Sequence, residues 1–237
     1  MPNVTIILAV RGSDGIVVGA DSRSCAGTAF IDGTEKITQL ASNCCVGVAG
    51  DSASAGIPFV RDAVRNLGLS SDRPADVHEV GRALERLLNE RINAGSNGEV
   101  KALNGTKFIL AGSLMGTPSF AVNVLHSSYT APRFVLHDSP EGFNKIGECQ
   151  LATYFETLLD VRYGAVPCER LAPLVHFVLS ETAAMRFTVA RPFQMVIVRR
   201  DSVEPIDCAK MEALSEGTRS SMSRIIQHVV LPAAPKG

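Results

Sequence analysis

Three polar side chains interrupt the apolar runs of the first fifty residues: Thr5, Asp21 and Lys36. Val- and Ile-rich runs at 5–11 and 15–21 are joined through an Asp-Gly pair, which predicts a β-hairpin. Strands of matching length place Thr5 and the region just after Asp21 at the same end of that hairpin, and Lys36 begins the next strand block. We therefore expect a hydroxyl, a carboxylate and an ammonium to lie within reach of one another, a combination that can support nucleophilic chemistry.

Each of the three residues also has an ordinary structural interpretation. Threonine favours strands, an aspartate followed by Ser and Arg is typical of a turn, and a lysine is usually solvated. Spacing alone favours these structural roles, and the surrounding motifs are needed to indicate a site.

The elements that must position these residues follow from hydrophobic periodicity. Alternating and continuous apolar runs predict a strand pair over 36–50 and strands over 107–115, 119–126, 133–138, 143–147 and 191–200. Apolar residues at helical spacing predict helices around 57–67 and 77–88, and over 150–162, 168–185 and 209–228. The Gly- and Asn-rich stretch 92–105 is predicted to be a loop.

This order of elements predicts the fold class. Strand blocks that alternate with helix pairs are typical of two antiparallel sheets packed together, each covered by helices on its outer face. We predict an α+β fold, a four-layer αββα sandwich, formed as one domain by residues 1–237. The sequence contains no internal repeat, low-complexity segment or linker that would divide it.

Composition and charge exclude several classes of function. A formal net charge of -1 over 237 residues gives no electrostatic reason to expect a nucleic acid or a membrane surface as partner. No apolar run is long enough to span a bilayer and no secretory signal is visible, so we expect a cytoplasmic location. The six cysteines form no CxxC pair and no zinc-spaced cluster, so we expect neither a metal nor another cofactor.

The motifs around the three polar residues resemble those of a known family. The stretches TIILAVRGSDGIVVGADSRSCAG, EKI and VAGDSASA are similar to proteasome beta-type subunits and their bacterial relatives, which are N-terminal-nucleophile hydrolases. The matching elements are Thr5, the sixteen-residue step to Asp21, Arg23, Gly27, Lys36 with Ile37, and Ala49 with Gly50. These motifs extend to about residue 70. Residues 185–203 are similar, more loosely, to the C-terminal part of the ancestral beta-subunit group of bacteria.

The resemblance implies a catalytic role for four positions. Thr5 would be the nucleophile, and its freed α-amine, with a reference pKa of about 7.7–8.0, would be the general base. Lys36 would lower the cost of the developing alkoxide, and Asp21 would hold Lys36 in place and keep it protonated. The backbone N–H of Gly50 would donate to the oxyanion of the tetrahedral intermediate.

The resemblance also implies residues that bind the substrate and residues that support the catalytic site. Ser24, Cys25, Thr34 and Val48 would line an apolar pocket for the substrate residue before the cut. Arg23 and Thr188 would support the site, Thr188 by supplying a hydroxyl near the last helix. The implied activity is a threonine-type peptidase that acts on peptides or unfolded proteins as one subunit of a homo-oligomeric ring. An ATP-dependent unfoldase is a further partner that the resemblance allows.

Two departures from the family pattern leave alternatives open. The α-amine of Thr5 exists only after residues 1–4, a short leader, are removed, and Val4 stands where the family has a glycine. The supporting Gly-Ser-Gly-type turn is replaced by IGECQLA at 146–152. The alternatives are a non-catalytic ring subunit of the same fold with Thr5 inert inside the chain, and an amidohydrolase that acts on small amides.

Overall fold

The computed structural model describes residues 5–26, 29–50, 53–96, 100, 103–127, 133–139, 142–147, 153, 163–213 and 216. In chain order the elements are β1 (Ile6–Arg11), β2 (Ile16–Ala20), β3 (Ser24–Ala26), β4 (Ala29–Ile31), β5 (Ile37–Ala41), β6 (Cys44–Gly50), α1 (Ala53–Asn66), α2 (Val77–Ala94), β7 (Thr106–Ser113), β8 (Phe120–Ser127), β9 (Phe134–Ser139), β10 (Phe143–Gly147), a 3-10 turn (Tyr163–Ala165), α3 (Cys168–Met185), β11 (Gln194–Val198) and β12 (Val203–Pro205).

The strands form two five-stranded antiparallel sheets and a small hairpin. The first sheet has the order β10-β1-β2-β11-β12, and the second has the order β5-β6-β7-β8-β9. The short strands β3 and β4 pair with each other outside both sheets. The hairpin predicted from the Asp-Gly pair is therefore present as β1–β2, with Ile7 opposite Ala20 and Arg11 opposite Ile16.

Burial explains why β1 and β2 are almost continuously apolar. Alternate side chains of β1, such as Leu8, pack against α3, whereas their neighbours, such as Ile7, pack against the second sheet. The outer face of the second sheet is covered by α1 and α2, with Leu84 and Phe108 in the same cluster. A strand that is covered on both faces has no position for a polar side chain except at its ends. The predicted αββα sandwich is confirmed.

Some local predictions differ from the structure. The stretch 92–105 is not wholly a loop, because α2 continues to Ala94 and buries Ile92. The β3–β4 hairpin and β12 were not predicted, since three-residue strands carry too little hydrophobic pattern to be recognised. The helix predicted over 150–162 lies almost entirely outside the described residues. Of the helix predicted over 209–228, the described part is helical over 208–213 and at residue 216.

None of the described helices is long and apolar enough to cross a bilayer.

Candidate active site

The three predicted site residues each lie one residue beyond the end of a strand. Thr5 precedes β1, Asp21 follows β2, and Lys36 precedes β5. The hairpin register brings the first two to one end of the first sheet, where the Asp21 N–H donates to the carbonyl oxygen of Ile6 at 3.3 Å. Lys36 reaches the same place from the second sheet.

The structure brings the three side chains into direct contact. The Thr5 hydroxyl donates to Asp21 Oδ1 at 2.5 Å, and Lys36 Nζ donates to the same oxygen at 2.7 Å. Lys36 Nζ also donates to Thr5 Oγ1 and to the carbonyl oxygen of Arg23. Thr5 is 4% exposed, and Asp21 and Lys36 are fully buried. An isolated ammonium is very costly to bury, so these acceptors explain how Lys36 is accommodated in the interior.

Backbone groups fix the Asp21 carboxylate. The Ile6 N–H donates to Oδ1 at 3.0 Å, and the Arg23 N–H donates to Oδ2 at 3.0 Å. Hydrogen bonds to an ionised acceptor are stronger than neutral ones. Asp21 is therefore held in one orientation from both sides while it contacts Thr5 and Lys36.

Sequence reasoning missed one residue of this site, Gln194. Its side-chain oxygen accepts from the backbone N–H of Lys36 at 2.7 Å and from that of Ile37 at 3.2 Å. Gln194 opens β11 and lies opposite Ala20, the residue before Asp21. Gln194, like Thr5 and Lys36, is a polar residue beside an apolar run, but this signal does not show which groups it contacts.

Two glycines with positive φ border the site. Gly147, at φ 92°, ends β10 opposite Ile6, and a Cβ there would lie 1.7 Å from the Thr5 carbonyl oxygen. Gly50, at φ 120°, ends β6, and a Cβ there would lie 2.1 Å from the Gly105 carbonyl oxygen. Both positions therefore require glycine. The oxyanion role of Gly50 stays a prediction.

The residues predicted to line a pocket occupy different surroundings. Ser24 and Thr34 lie together, with their hydroxyl oxygens 2.8 Å apart. Val48 is fully buried in the core layer between the second sheet and α1. The side chain of Cys25 lies outside the described residues. Pocket lining therefore stays a prediction for all four.

Arg23 contacts the turn that contains Thr188, through the preceding residue Phe187. The Arg23 guanidinium forms a two-point ion pair with Asp32, at 2.7 and 2.9 Å, and also donates to the carbonyl oxygen of Phe187. Thr188 is buried in the turn that follows α3, and Ala190 in that turn accepts from the Ser22 N–H at 3.1 Å. A supporting role for Arg23 and Thr188 stays a prediction.

The described side chains do not indicate a metal site. Among the described residues, no group of three or more His, Cys, Asp or Glu side chains could hold a metal ion. What the arrangement offers is a buried hydroxyl that contacts both an ammonium and a carboxylate, which is suited to nucleophilic attack.

Residues 1–98 match the model of the proteasome subunit family, a stretch that includes Thr5, Asp21, Lys36 and Gly50. The resemblance to proteasome subunits is confirmed. No protein of curated function matches the chain in sequence.

Solved structures of the bacterial protein Anbu are similar over nearly the whole chain. Anbu, the ancestral beta-subunit, from Yersinia bercovieri has a TM-score of 0.73 at 19% identity, covering 98% of this chain and 100% of its own. Anbu from Hyphomicrobium sp. strain MC1 has a TM-score of 0.70 at 18% identity, and the match covers 94% of this chain and 97% of the Anbu chain. The Anbu complex of Pseudomonas aeruginosa, solved as a helical assembly, has a TM-score of 0.70 at 15% identity, covering 98% of each chain. At these identities the likeness shows that the chain has the proteasome-like fold.

Proposed function

We propose that the chain is a threonine-type peptidase subunit that hydrolyses peptide bonds through an acyl-enzyme on Thr5. The observation that supports this most is the buried contact of the Thr5 hydroxyl with both Lys36 and Asp21. A threonine that served only as a strand former would not require a fully buried lysine beside its oxygen, because burying an ammonium is costly.

The reaction requires that residues 1–4 are removed, so that Thr5 carries a free α-amine. That amine accepts the hydroxyl proton, directly or through a water, and Oγ1 attacks the carbonyl carbon of the scissile peptide bond. The amine then returns the proton to the leaving nitrogen, and the C–N bond breaks. Water, deprotonated by the same amine, hydrolyses the resulting ester and restores Thr5.

Lys36, Asp21 and Gly50 would stabilise charge during these steps. The Lys36 ammonium touches Oγ1 and would stabilise the negative charge that develops there in a site of low dielectric constant. Asp21 neutralises Lys36 and holds it at that oxygen. The N–H of Gly50 would donate to the oxyanion of the tetrahedral intermediate.

We further propose that the subunit acts within a homo-oligomer. The Anbu complex of Pseudomonas aeruginosa forms a helical assembly, and a head-to-tail interface gives a ring when its rotation closes and a helix when it does not. Large apolar side chains are exposed on this chain at Phe30, Ile31, Met185 and Phe187. A ring would enclose peptide or unfolded-protein substrates, and an ATP-dependent unfoldase could deliver them.

One observation favours a second function. Thr5 is buried, and Val4 precedes it, a β-branched residue that crowds attack by the Thr5 hydroxyl on the Val4 carbonyl. If residues 1–4 stay in place, the general base is absent and the chain is a non-catalytic subunit of the same fold.

The test compares the full chain with a chain that begins at Thr5. Intact mass and N-terminal identification establish the first residue of each preparation, and fluorogenic peptides and small amides serve as substrates. We expect hydrolysis only from protein that begins at Thr5, and a loss of at least about 10³-fold in Thr5→Ala. Thr38→Ala, on the neighbouring strand β5, is the matched control and should retain full activity. Unchanged turnover in Thr5→Ala would overturn the proposal.

The same comparison decides between the alternatives. A chain that begins at Thr5, folds and hydrolyses neither peptides nor small amides would establish the non-catalytic subunit. Cleavage of small amides without cleavage of peptides would establish an amidohydrolase.

A further inference from the structure

We infer that Gln194 is a positioning residue, which sets the place of Lys36 relative to Thr5 and Asp21 by accepting hydrogen bonds from the backbone of residues 36 and 37. This inference rests on the function proposed above, because its consequence is measured as turnover.

The site needs such a residue because its groups belong to different sheets. Thr5 and Asp21 are attached to the first sheet, and Lys36 is attached to β5 of the second. The reach of Lys36 Nζ to the hydroxyl therefore depends on how the two sheets are held together at this edge. Apolar packing holds the two sheets together without a preferred direction, and a hydrogen bond adds a directional constraint on this one backbone segment.

Lys36 precedes β5, whose position is constrained less by strand pairing than that of an interior strand. β5 is the edge strand of its sheet and pairs only with β6 among the described strands. Val48 N–H donates to the Lys36 carbonyl at 3.0 Å, and Ile37 lies opposite Gly47. An edge strand presents unpaired N–H groups on its open side. Gln194 supplies one acceptor for two consecutive N–H groups where β5 begins, those of Lys36 and Ile37.

The position of Gln194 ties that acceptor to Asp21. Gln194 begins β11, which pairs with β2 in the first sheet, and it lies directly opposite Ala20. Asp21 is the next residue. One side-chain oxygen thus joins the backbone of Lys36 to the strand pair that ends in the carboxylate, across 158 positions of sequence.

The expected consequence is on turnover rather than on substrate binding. A shift of about 1 Å in a catalytic group can reduce the rate by roughly 100-fold. Gln194→Met keeps a similar length but removes the acceptor, so we expect kcat to fall roughly 10- to 100-fold. Gln194 is not among the residues predicted to touch substrate, so KM should stay within about twofold.

Two further variants separate positioning from general stability. Gln194→Glu keeps an oxygen at the same place and should recover most of the lost kcat. Gln39→Met is the matched control, because Gln39 lies on β5, the strand that Lys36 precedes, and its amide donates to the carbonyl oxygens of Ala41 at 3.1 Å and Ser71 at 3.2 Å. It should lower stability comparably and leave kcat near that of the wild-type protein.

Amide hydrogen exchange gives a readout that does not need activity. In the wild-type protein the Lys36 and Ile37 amides should be protected, and Gln194→Met should raise their exchange at least about tenfold relative to other amides of the second sheet. Unprotected Lys36 and Ile37 amides in the wild-type protein would overturn the inference, even if Gln194→Met did not fold.

The remaining outcomes are also decisive. Wild-type kcat in Gln194→Met, or equal losses in Gln194→Met and Gln39→Met, would overturn the positioning role. If a wild-type chain that begins at Thr5 is inactive, the proposed function fails, and the exchange data still decide whether Gln194 holds the strand.

Discussion

The two ends of the β1–β2 hairpin each carry an aspartate paired with a cation, in opposite surroundings. At one end Asp21 pairs with Lys36, and both side chains are fully buried. At the other end Asp14, in the connecting turn, pairs with Arg199, which also contacts Glu169 and lies 3.9 Å from Glu204. The side chains of Asp14 and Glu169 are 42% and 63% exposed.

The difference separates an ion pair that contributes little to stability from one that the fold carries at a cost. An exposed ion pair contributes little and is tolerant of change, whereas a buried pair pays a desolvation penalty that its Coulomb energy scarcely repays. Asp14 has a structural use in addition, because its carboxylate accepts from the Cys168 N–H at 2.8 Å, where α3 begins. Asp21 likewise accepts from the backbone N–H groups of Ile6 and Arg23, but those bonds do not require a buried lysine beside it. The contact of both charged groups with the Thr5 hydroxyl supplies a chemical reason for the buried pair.

The largest expected effect is from Asp21→Asn. It leaves the Lys36 ammonium buried without a counter-charge, so the free energy of unfolding should fall by about 3–5 kcal/mol. Urea unfolding of the purified protein measures this change. The double variant Asp21→Asn with Lys36→Met removes both charges and should recover part of the loss. A loss below about 1 kcal/mol in the single variant would show that the buried Lys36 ammonium does not depend on the Asp21 charge.

A smaller effect is expected from Asp14→Asn. The amide oxygen of Asn can still accept from the Cys168 N–H, so the change isolates the exposed ion pair with Arg199 and should cost about 0.2–1 kcal/mol. Asp14→Ala also removes the acceptor at the start of α3 and should cost about 1 kcal/mol more. Thermal unfolding compares the variants. If Asp14→Asn destabilised the protein as strongly as Asp21→Asn, burial would not be what distinguishes the two pairs.

The smallest expected effect is the pH dependence of the stability difference between the wild-type protein and Asp14→Asn. Partial burial alone would raise the pKa of Asp14, but hydrogen bonds from Cys168 and Arg199, together with the charge of Arg199, outweigh it and lower the pKa. A carboxyl with a lowered folded-state pKa stabilises above its unfolded pKa, and this contribution is lost as the pH falls through the folded-state pKa. The stability gap between wild type and Asp14→Asn should therefore be full near neutral pH and close in acid. Unfolding temperatures from about pH 7 to about pH 3 test this. A gap that widens in acid would contradict the lowered pKa.

Most of the longer elements and the three candidate site residues could be predicted from the sequence. Continuous apolar runs indicated buried strands. The polar residues just beyond those runs, together with the motifs that resemble proteasome subunits, indicated Thr5, Asp21 and Lys36 as candidates. These features could be predicted because strand periodicity and hairpin register are local properties of the chain. Once β1 and β2 are paired through a short turn, Thr5 and Asp21 must lie at the same end of the hairpin. The αββα architecture followed from the order of the strand and helix blocks.

The distances between these groups and the contacts that hold them could not be predicted from the sequence. The contact of Gln194 with Lys36, the approach of Gly147 to the Thr5 carbonyl, and the short strands β3, β4 and β12 have no local pattern that predicts them. Each joins segments that are far apart in sequence or too short to show a period. Their positions depend on how two sheets pack against each other, which is set by the interdigitation of many side chains rather than by the spacing of a few.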